Sequence, residues 1–439
     1  MGDTDADVVI VGAGLTGLWT AYGLLRRDPS SRVVLVERET IGFGASSRNG
    51  GWCSALLPMS MPQMSKQHGE SAAGRMQAAM HQTVVDVGAF ATEHGINCGY
   101  QRGGTIRLAR NKPQIERLRH DIDEYHRFGF DDDDYRWIGA DEARTICAAT
   151  DVLGAKFTPH CAALNPIRLT HGVAGVVLAM GARIYEHTTV TEIGERQVTT
   201  DRGVIKADVV VRATEGYTST LPGARRVLLP IYSLMIATEP LSDAQWDEIG
   251  LTARPTFSDA RNLIIYGQRT ADGRIAFGGR GAPYHFGSKV RTQFDTDSRV
   301  QDLLTHSLRE LFPILADTQV THHWGGVLAA PRDWNCAVRF DRATGFATAG
   351  GYVGDGLATT HLAGHTLAAL ITDSTDDGDR ELVRLPWVGH QSRPWEPEPL
   401  RWIGVNLART AAVRADQVEE RTGHRSRLWG GVINSVLGH

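Results

Sequence analysis

Gly12, Gly14 and Gly17 form a Gly-x-Gly-x-x-Gly run directly after the apolar stretch Val8-Val9-Ile10-Val11. An acidic residue, Glu37, closes the next apolar stretch, Val33-Val34-Leu35-Val36. Each of these residue types has a physical task. Gly12 permits a tight turn out of the strand, Gly14 lets backbone approach a pyrophosphate, and Gly17 lets the following helix pack closely on the strand. The positive end of that helix, with the N–H groups of Leu15 and Thr16, then faces the phosphates. Glu37 and Arg38 fall at the adenosine end, where the Glu37 carboxylate accepts from both ribose hydroxyls and repels a 2′-phosphate. Strand, turn, helix and terminal acid in register predict an adenine dinucleotide.

The segment after Glu37 selects among dinucleotides. It runs Gly42-Phe43-Gly44-Ala45-Ser46-Ser47-Arg48-Asn49-Gly50-Gly51, where a nicotinamide enzyme would proceed to another short strand–helix unit. This loop of small residues ends in a Gly-Gly pair that suits backbone lying flat on a large planar ring. Ser46 and Arg48 are expected to meet phosphate or ring carbonyl oxygens. This order of segments favours FAD. A second glycine-rich loop, Gly350-Gly351-Tyr352-Val353-Gly354-Asp355-Gly356, opens a helical run beginning Leu357-Ala358-Thr359. Free N–H groups at such a helix start stabilise the negative charge that develops on a flavin when it is reduced.

The elements that must position these residues can be read from periodicity. Residues 15–27 make the fingerprint helix, Ser71 to His94 a second helix, Arg102 to Leu108 a strand, and Pro166 to Met180 a helix before the strand Arg183-Ile184-Tyr185. From Leu228 onward apolar and polar residues alternate, at Ser233 to Thr238, Leu263 to Gln268 and Arg274 to Gly279. Alternation predicts an antiparallel sheet with one exposed face. The expected fold is α/β (α+β): a Rossmann-like FAD-binding domain with an inserted antiparallel-sheet substrate domain. The FAD-binding domain is expected in three pieces, 1–95, 150–228 and 324–373, and the substrate domain in two, 96–149 and 229–323. A tail over 374–439 follows, with an amphipathic helix from Leu400 to Glu419 docked on the body.

With the strand Ala207-Asp208-Val209-Val210-Val211-Arg212-Ala213-Thr214-Glu215-Gly216-Tyr217, these segments resemble the D-amino acid oxidase-like superfamily of FAD enzymes over residues 7 to about 375. The superfamily includes glycine and sarcosine oxidases. The form Arg48-Asn49-Gly50-Gly51 is most similar to the γ-glutamylputrescine oxidase branch. The resemblance implies a two-domain architecture of glutathione-reductase type and FAD contacts from Val190 (against the adenine), Ala213 and Thr214, besides the two glycine-rich loops. It implies oxidation of a carbon–nitrogen bond in a small amine, giving an imine that water hydrolyses, with O2 or another acceptor reoxidising the flavin. Tyr266, Arg280, Trp324 and His323 are candidate catalytic residues, with His322, His285, Trp52 and Asp355 behind them.

Three departures from the family pattern bear on chemistry. Sarcosine oxidases tether flavin through a cysteine where this chain has Gly325-Gly326-Val327-Leu328, so non-covalent FAD is expected. An oxygen-activating lysine is replaced by Ala276, which leaves the electron acceptor open. The arginine that fixes a carboxylate in glycine oxidase falls at Leu328, which counts against a free α-amino acid held in that way. An amino acid oxidase using another arginine, such as Arg280, is the alternative enzyme reading. A flavin-binding protein without turnover is the alternative from another class.

Composition fits an enzyme with a large core. The chain has 439 residues, 42% of them hydrophobic, enough for two or three domains. A formal net charge of −4 gives no reason to expect nucleic acid or an anionic membrane as partner. Five cysteines without Cys-x-x-Cys spacing (Cys53, Cys98, Cys147, Cys161, Cys336) suggest reduced thiols in a cytoplasm. The short acidic start is not expected to be a secretory signal. No metal site is expected, and the sequence does not specify the oligomeric state.

Overall fold

The run Val33-Val34-Leu35-Val36 is buried at every position, as a strand covered on both faces requires. It lies within an eight-stranded sheet that pairs, in order, Ala337–Asp341, Phe346–Gly350, Gly203–Arg212, Thr4–Val11, Val33–Val36 and Arg183–Tyr185, with Gln197–Thr200 and Val190–Gly194 added at the side. The pairings around Thr4–Val11 are parallel, with Val8 opposite both Val33 and Val209. This computed structural model describes residues 2–279, 281 and 283–437, with side chains to residue 433. The fingerprint helix Leu15–Arg27 and the later helix Gly356–Thr372 cross at small residues. A Cβ on Gly364 would lie 2.6 Å from Trp19 Cβ, and one on Gly23 would lie 2.9 Å from Ala368 Cβ. This close crossing brings the N-termini of both helices to one end of the sheet, as doubly wound folds do at a binding crevice.

A second eight-stranded sheet pairs Val320–Ala330, Leu229–Thr238, Ile275–Gly279, Ile265–Arg269, Thr256–Asp259, Thr105–Ala109, Gly154–Thr158 and Arg136–Gly139. It is antiparallel except where Thr256–Asp259 meets Thr105–Ala109. The alternating strands were expected to leave one face in water. Instead, nine of the ten residues of Leu229–Thr238 are buried. Helix Ser298–Leu311 packs on one side of this sheet, burying Val300, Leu304, Leu308 and Leu311.

The sheets also move two domain boundaries. Gly154–Thr158 hydrogen-bonds into the second sheet beside Thr105–Ala109, so residues 150–158 do not belong with the first. Val320–Ala330 pairs along its length with Leu229–Thr238, Trp324 opposite Met235, so the chain re-enters the first sheet at Ala337 rather than at Trp324.

The tail folds as helices Leu400–Thr422 and Arg427–Leu437. The first docks on the second sheet's domain through charged contacts. Asp416 accepts from the Asn262 and Leu263 N–H groups at 2.7 and 2.9 Å, and Glu419 pairs with Arg117 at 2.8 Å. No helix among the described residues is long and apolar enough to cross a membrane.

Candidate functional site

The fingerprint glycines are required by close contacts. Gly12 has φ +106°, and a Cβ there would sit 2.6 Å from the Ala213 carbonyl oxygen. A Cβ on Gly14 would lie 2.8 Å from Ser46 Oγ. One on Gly17 would lie 2.1 Å from the Gly12 carbonyl oxygen and 3.1 Å from Ile10 Cγ2, so Gly17 works behind the crevice, holding helix to strand. Gly12, Gly14, Leu15 and Thr16 line a cleft whose other walls include Glu37, Arg38, Ala213 and Thr214. Glu37 accepts from the Ala13 and Glu39 N–H groups, each at 3.0 Å, and burial raises its pKa. The Thr188 N–H donates to the Glu37 carbonyl at 2.9 Å, which brings Val190 to the same cleft.

The loop after Phe43 builds the next wall. Gly44, Ala45, Ser46 and Asn49 line the cleft. Ser46 Oγ accepts from the Leu15 N–H at 2.8 Å, so the residue expected at a phosphate also caps the fingerprint helix. Asn49 braces the loop, donating to the Ala45 and Ser46 carbonyls and accepting from the Gly51 N–H at 2.8 Å. The Gly50-Gly51 pair answers to the second sheet as much as to any ring. A Cβ on Gly50 would lie 2.7 Å from the Tyr266 ring, and one on Gly51 would lie 2.1 Å from Gln268 Nε2. Arg48 is neutralised by Asp295 at 2.6 Å and stacks over Phe43 at 4.3 Å.

The second glycine-rich loop brings Gly354, Gly356 and Leu357 to the cleft. Two of its N–H groups are already taken: Gly351 and Tyr352 donate to the Glu215 carboxylate at 2.9 and 3.2 Å. Glu215 also lines the cleft, and burial pushes its pKa to about 7. Gly351 itself packs on Pro331 and Cys336. Ala358 and Thr359 are buried in the helix, Thr359 donating to the Asp355 carbonyl.

Beside the cleft lies a larger cavity of about 630 Å³. Ala45, Asn49, Leu328, Gly354 and Leu357 line both, so the two spaces share a wall. Arg48, Gly50, Val353, Trp52, Tyr266, Trp334 and Asp355 face this second cavity. Tyr266 Oη shares a hydrogen bond with Ser233 Oγ at 2.8 Å, and its ring meets Trp52 edge-on at 6.0 Å.

Residues 7–370 match the family described as FAD dependent oxidoreductase (DAO). The chain belongs to this family. It is 28% identical over 393 residues to gamma-glutamylputrescine oxidoreductase of Escherichia coli, covering 87% of this chain and 88% of that protein. It is 26% identical over 377 residues to probable oxidoreductase OrdL of Haemophilus influenzae, covering 83% of each. The crystal structure of glycine oxidase from Geobacillus kaustophilus has a TM-score of 0.73 at 21% identity, covering 88% of this chain and 99% of that one, and shares the fold. The protein is thus an FAD-dependent oxidoreductase related to amine and amino acid oxidases, with the two-domain architecture of its family. FAD fits the cleft: a Cβ at Gly12 or Gly14 would fill the turn, and Glu37 stands at the end of the second strand, as the dinucleotide fingerprint demands.

Within this family member, several expected site residues stand elsewhere. His323 is exposed on Val320–Ala330 opposite Ile236. Trp324 donates to the Arg48 carbonyl at 2.9 Å and lines neither cavity, so it supports the loop from behind. His285 stacks on Phe294 at 3.5 Å, also outside both cavities. Arg280 lies outside the described residues. All five cysteines are buried and free, and none lines either cavity; Cys53 sits in a short strand opposite Ala162. Sequence reasoning missed Glu215 and Tyr217 as cleft residues. The available signal was an ionisable residue at the end of a buried strand, in the position of a small or amide residue in the family pattern.

Proposed function

We propose that the protein oxidises the carbon–nitrogen bond of a small amine, releasing an imine that hydrolyses to an aldehyde or ketone plus an amine or ammonia. Electrons pass finally to O2 in this reading. FAD, when bound in the cleft, supplies the hydride acceptor. The chain's task is then to hold the reacting carbon at the wall shared by cleft and cavity, with its amine unprotonated.

The observation that carries this reading is the composition of that wall. Leu328 and Leu357 line it, and Trp52 and Tyr266 stand in the adjoining cavity. Apolar and aromatic surroundings disfavour an ammonium and lower the pKa of a bound amine, which frees the lone pair needed for hydride loss. The cation expected nearest the loop, Arg48, is held by Asp295, and Leu328 offers no partner to an α-carboxylate. A buried carboxylate without a cationic partner costs several kcal/mol, which disfavours a simple α-amino acid. Relatives named gamma-glutamylputrescine oxidoreductase and glycine oxidase support C–N oxidation as the shared chemistry. Five unpaired buried thiols support a reducing, cytoplasmic setting.

A panel of mono-, di- and acylated polyamines beside simple L- and D-amino acids, read as peroxide released, tests the proposal. Faster turnover on the amines with peroxide formed in step is the expected result. Faster turnover on simple amino acids refutes the substrate class, and flavin bleaching without peroxide refutes O2 as acceptor.

A further inference from the structure

We propose that Arg409, on the tail helix Leu400–Thr422, is the anion-binding residue of the substrate cavity. It would take a carboxylate carried several bonds away from the oxidised carbon–nitrogen bond. The proposal rests on the reading of that cavity as the place where the amine binds.

The tail helix lies beyond residue 370, where the family match ends, yet it completes the cavity wall. Val405, Ala408, Arg409 and Ala412 all line it. Their spacing of three and four residues sets them on one helix face. Ala408 and Ala412 are small, so Arg409 is the side chain with reach on this face. Among the described residues its Nε is buried without a hydrogen-bond partner, and Nη1 reaches only the Gly281 carbonyl, at 3.4 Å. Among the described residues no carboxylate lies within ion-pair distance of it. Of the other cations of the cavity, Arg48 is paired with Asp295 at 2.6 Å, and Lys156 and Arg107 share Asp121, at 2.5 and 4.0 Å.

The nearby acids are engaged as well. Asp416 and Glu419, further along the same helix, are held by Asn262, Leu263 and Arg117, and Asp259 is held by Arg261 at 2.6 Å. Arg409 as a whole is half-buried, but a buried donor left unmet is unfavourable, and a carboxylate satisfies two guanidinium N–H groups at once. Position decides which carboxylate. Arg409 faces the substrate cavity but not the cofactor cleft, whereas five other residues line both. An acid bound by Arg409 therefore sits away from the reacting end, and the substrate spans the cavity as an amine with a distal carboxylate.

The test uses the FAD-loaded protein and three sets of probes. These are γ-aminobutyrate, δ-aminovalerate and ε-aminocaproate, the alkylamines of equal length, and the dicarboxylates glutarate and adipate. Binding is read from the shift in flavin absorbance, and amine oxidation from anaerobic bleaching. At least one amino acid of the series should bind about tenfold or more tighter than its alkylamine. Arg409→Gln should bring that ratio close to one, and Arg409→Lys should restore part of it. Ala412→Asp, which adds an opposing charge while leaving Arg409 in place, should lower the ratio too. Equal binding of amino acid and alkylamine to the wild type, or a ratio unchanged in Arg409→Gln and Ala412→Asp, overturns the proposal. The dicarboxylates separate the two ideas. Arg409-dependent dicarboxylate binding without bleaching by any amine keeps the anion site and removes the amine reading. Bleaching by amines with no preference for carboxylates does the reverse.

Discussion

Glu215 Oε2 lies 2.9 Å from the Gly351 nitrogen and accepts its hydrogen bond, tying the strand that ends at Arg212 to the loop that opens helix Gly356–Thr372. The contact is tight enough that a Cβ on Gly350 would come within 2.7 Å of the same oxygen. A loop whose N–H groups were expected to be free for flavin is therefore partly closed by a half-buried acid of its own chain.

That acid should leave a mark on stability. Its folded pKa is raised from 4.5 to about 7 by burial, against the lowering effect of the backbone N–H donors. Between those two values the folded protein keeps a proton that the unfolded chain has released, so stability falls as pH rises through this window. Relative to wild type, Glu215→Gln should gain up to about 3 kcal/mol on moving from the bottom of the window to above it. Urea unfolding of both proteins across that range measures it. A constant difference between them would show that Glu215 stays ionised throughout.

The cleft makes its own demand. Gly14→Val puts a branched side chain where even a Cβ is 2.8 Å from Ser46 Oγ, and FAD retention should be lost. Glu37→Ala should weaken FAD binding by roughly 1–3 kcal/mol, the scale of hydrogen bonds to a charged group. It also frees the Ala13 and Glu39 N–H groups. Flavin content after desalting is the readout, and full occupancy in Gly14→Val would place the cofactor elsewhere.

How far these features were legible in the sequence depends on the range of the contact. The fingerprint could be read because Gly12, Gly14 and Gly17 act on neighbours fixed by one strand–turn–helix unit. The helices ending near Glu93 and Ala179 were visible from apolar spacing alone. The roles of Gly50 and Gly51 were not, since Tyr266 and Gln268 reach them from a strand over two hundred positions away. Trp324 and His323 were misplaced because a strand's sheet partner is a long-range choice that local pattern does not encode. The tail helix was readable, but its entry into a cavity wall was not, because no local signal says which neighbour an amphipathic face will meet.

A second pH effect runs in the opposite direction. His81 and His160 stack with ring centroids 3.5 Å apart and planes 3° from parallel. His160 Nε2 lies 2.6 Å from Asp134 Oδ1, and His81 Nε2 lies 2.6 Å from Tyr135 Oη. Burial, with the His160 ring as the next cause, lowers the His81 pKa from 6.5 to about 3. Below 6.5 the unfolded chain binds a proton that folded His81 refuses. Stability present above 6.5 is therefore lost as pH falls toward 3, by about 1.4 kcal/mol per pH unit for one such group. His81→Gln, which can keep a bond to Tyr135, should be less acid-sensitive than wild type. Parallel acid-unfolding curves for the two proteins would refute the assignment.

The flavin should be held without a covalent bond. Attachment through a cysteine needs a nucleophilic thiolate at the cofactor, and burial raises the pKa of Cys53 well above its usual value, the direction that suppresses thiolate. Cys161 and Cys336 are pushed up to about 12 by burial. Position agrees with reactivity: Cys53 lies opposite Ala162 in a strand pair, Cys336 packs behind Gly351, and neither faces the cleft. The segment Gly325–Leu328 carries no thiol, and Val327 and Leu328 fill the wall there. Acid precipitation of the purified yellow protein should release all of its FAD into the supernatant. Colour retained in the washed precipitate, surviving in a Cys53→Ser variant as well, would mean that a residue other than cysteine holds the ring. If that colour were lost in Cys53→Ser, the Cys53 strand would have to open toward the cleft.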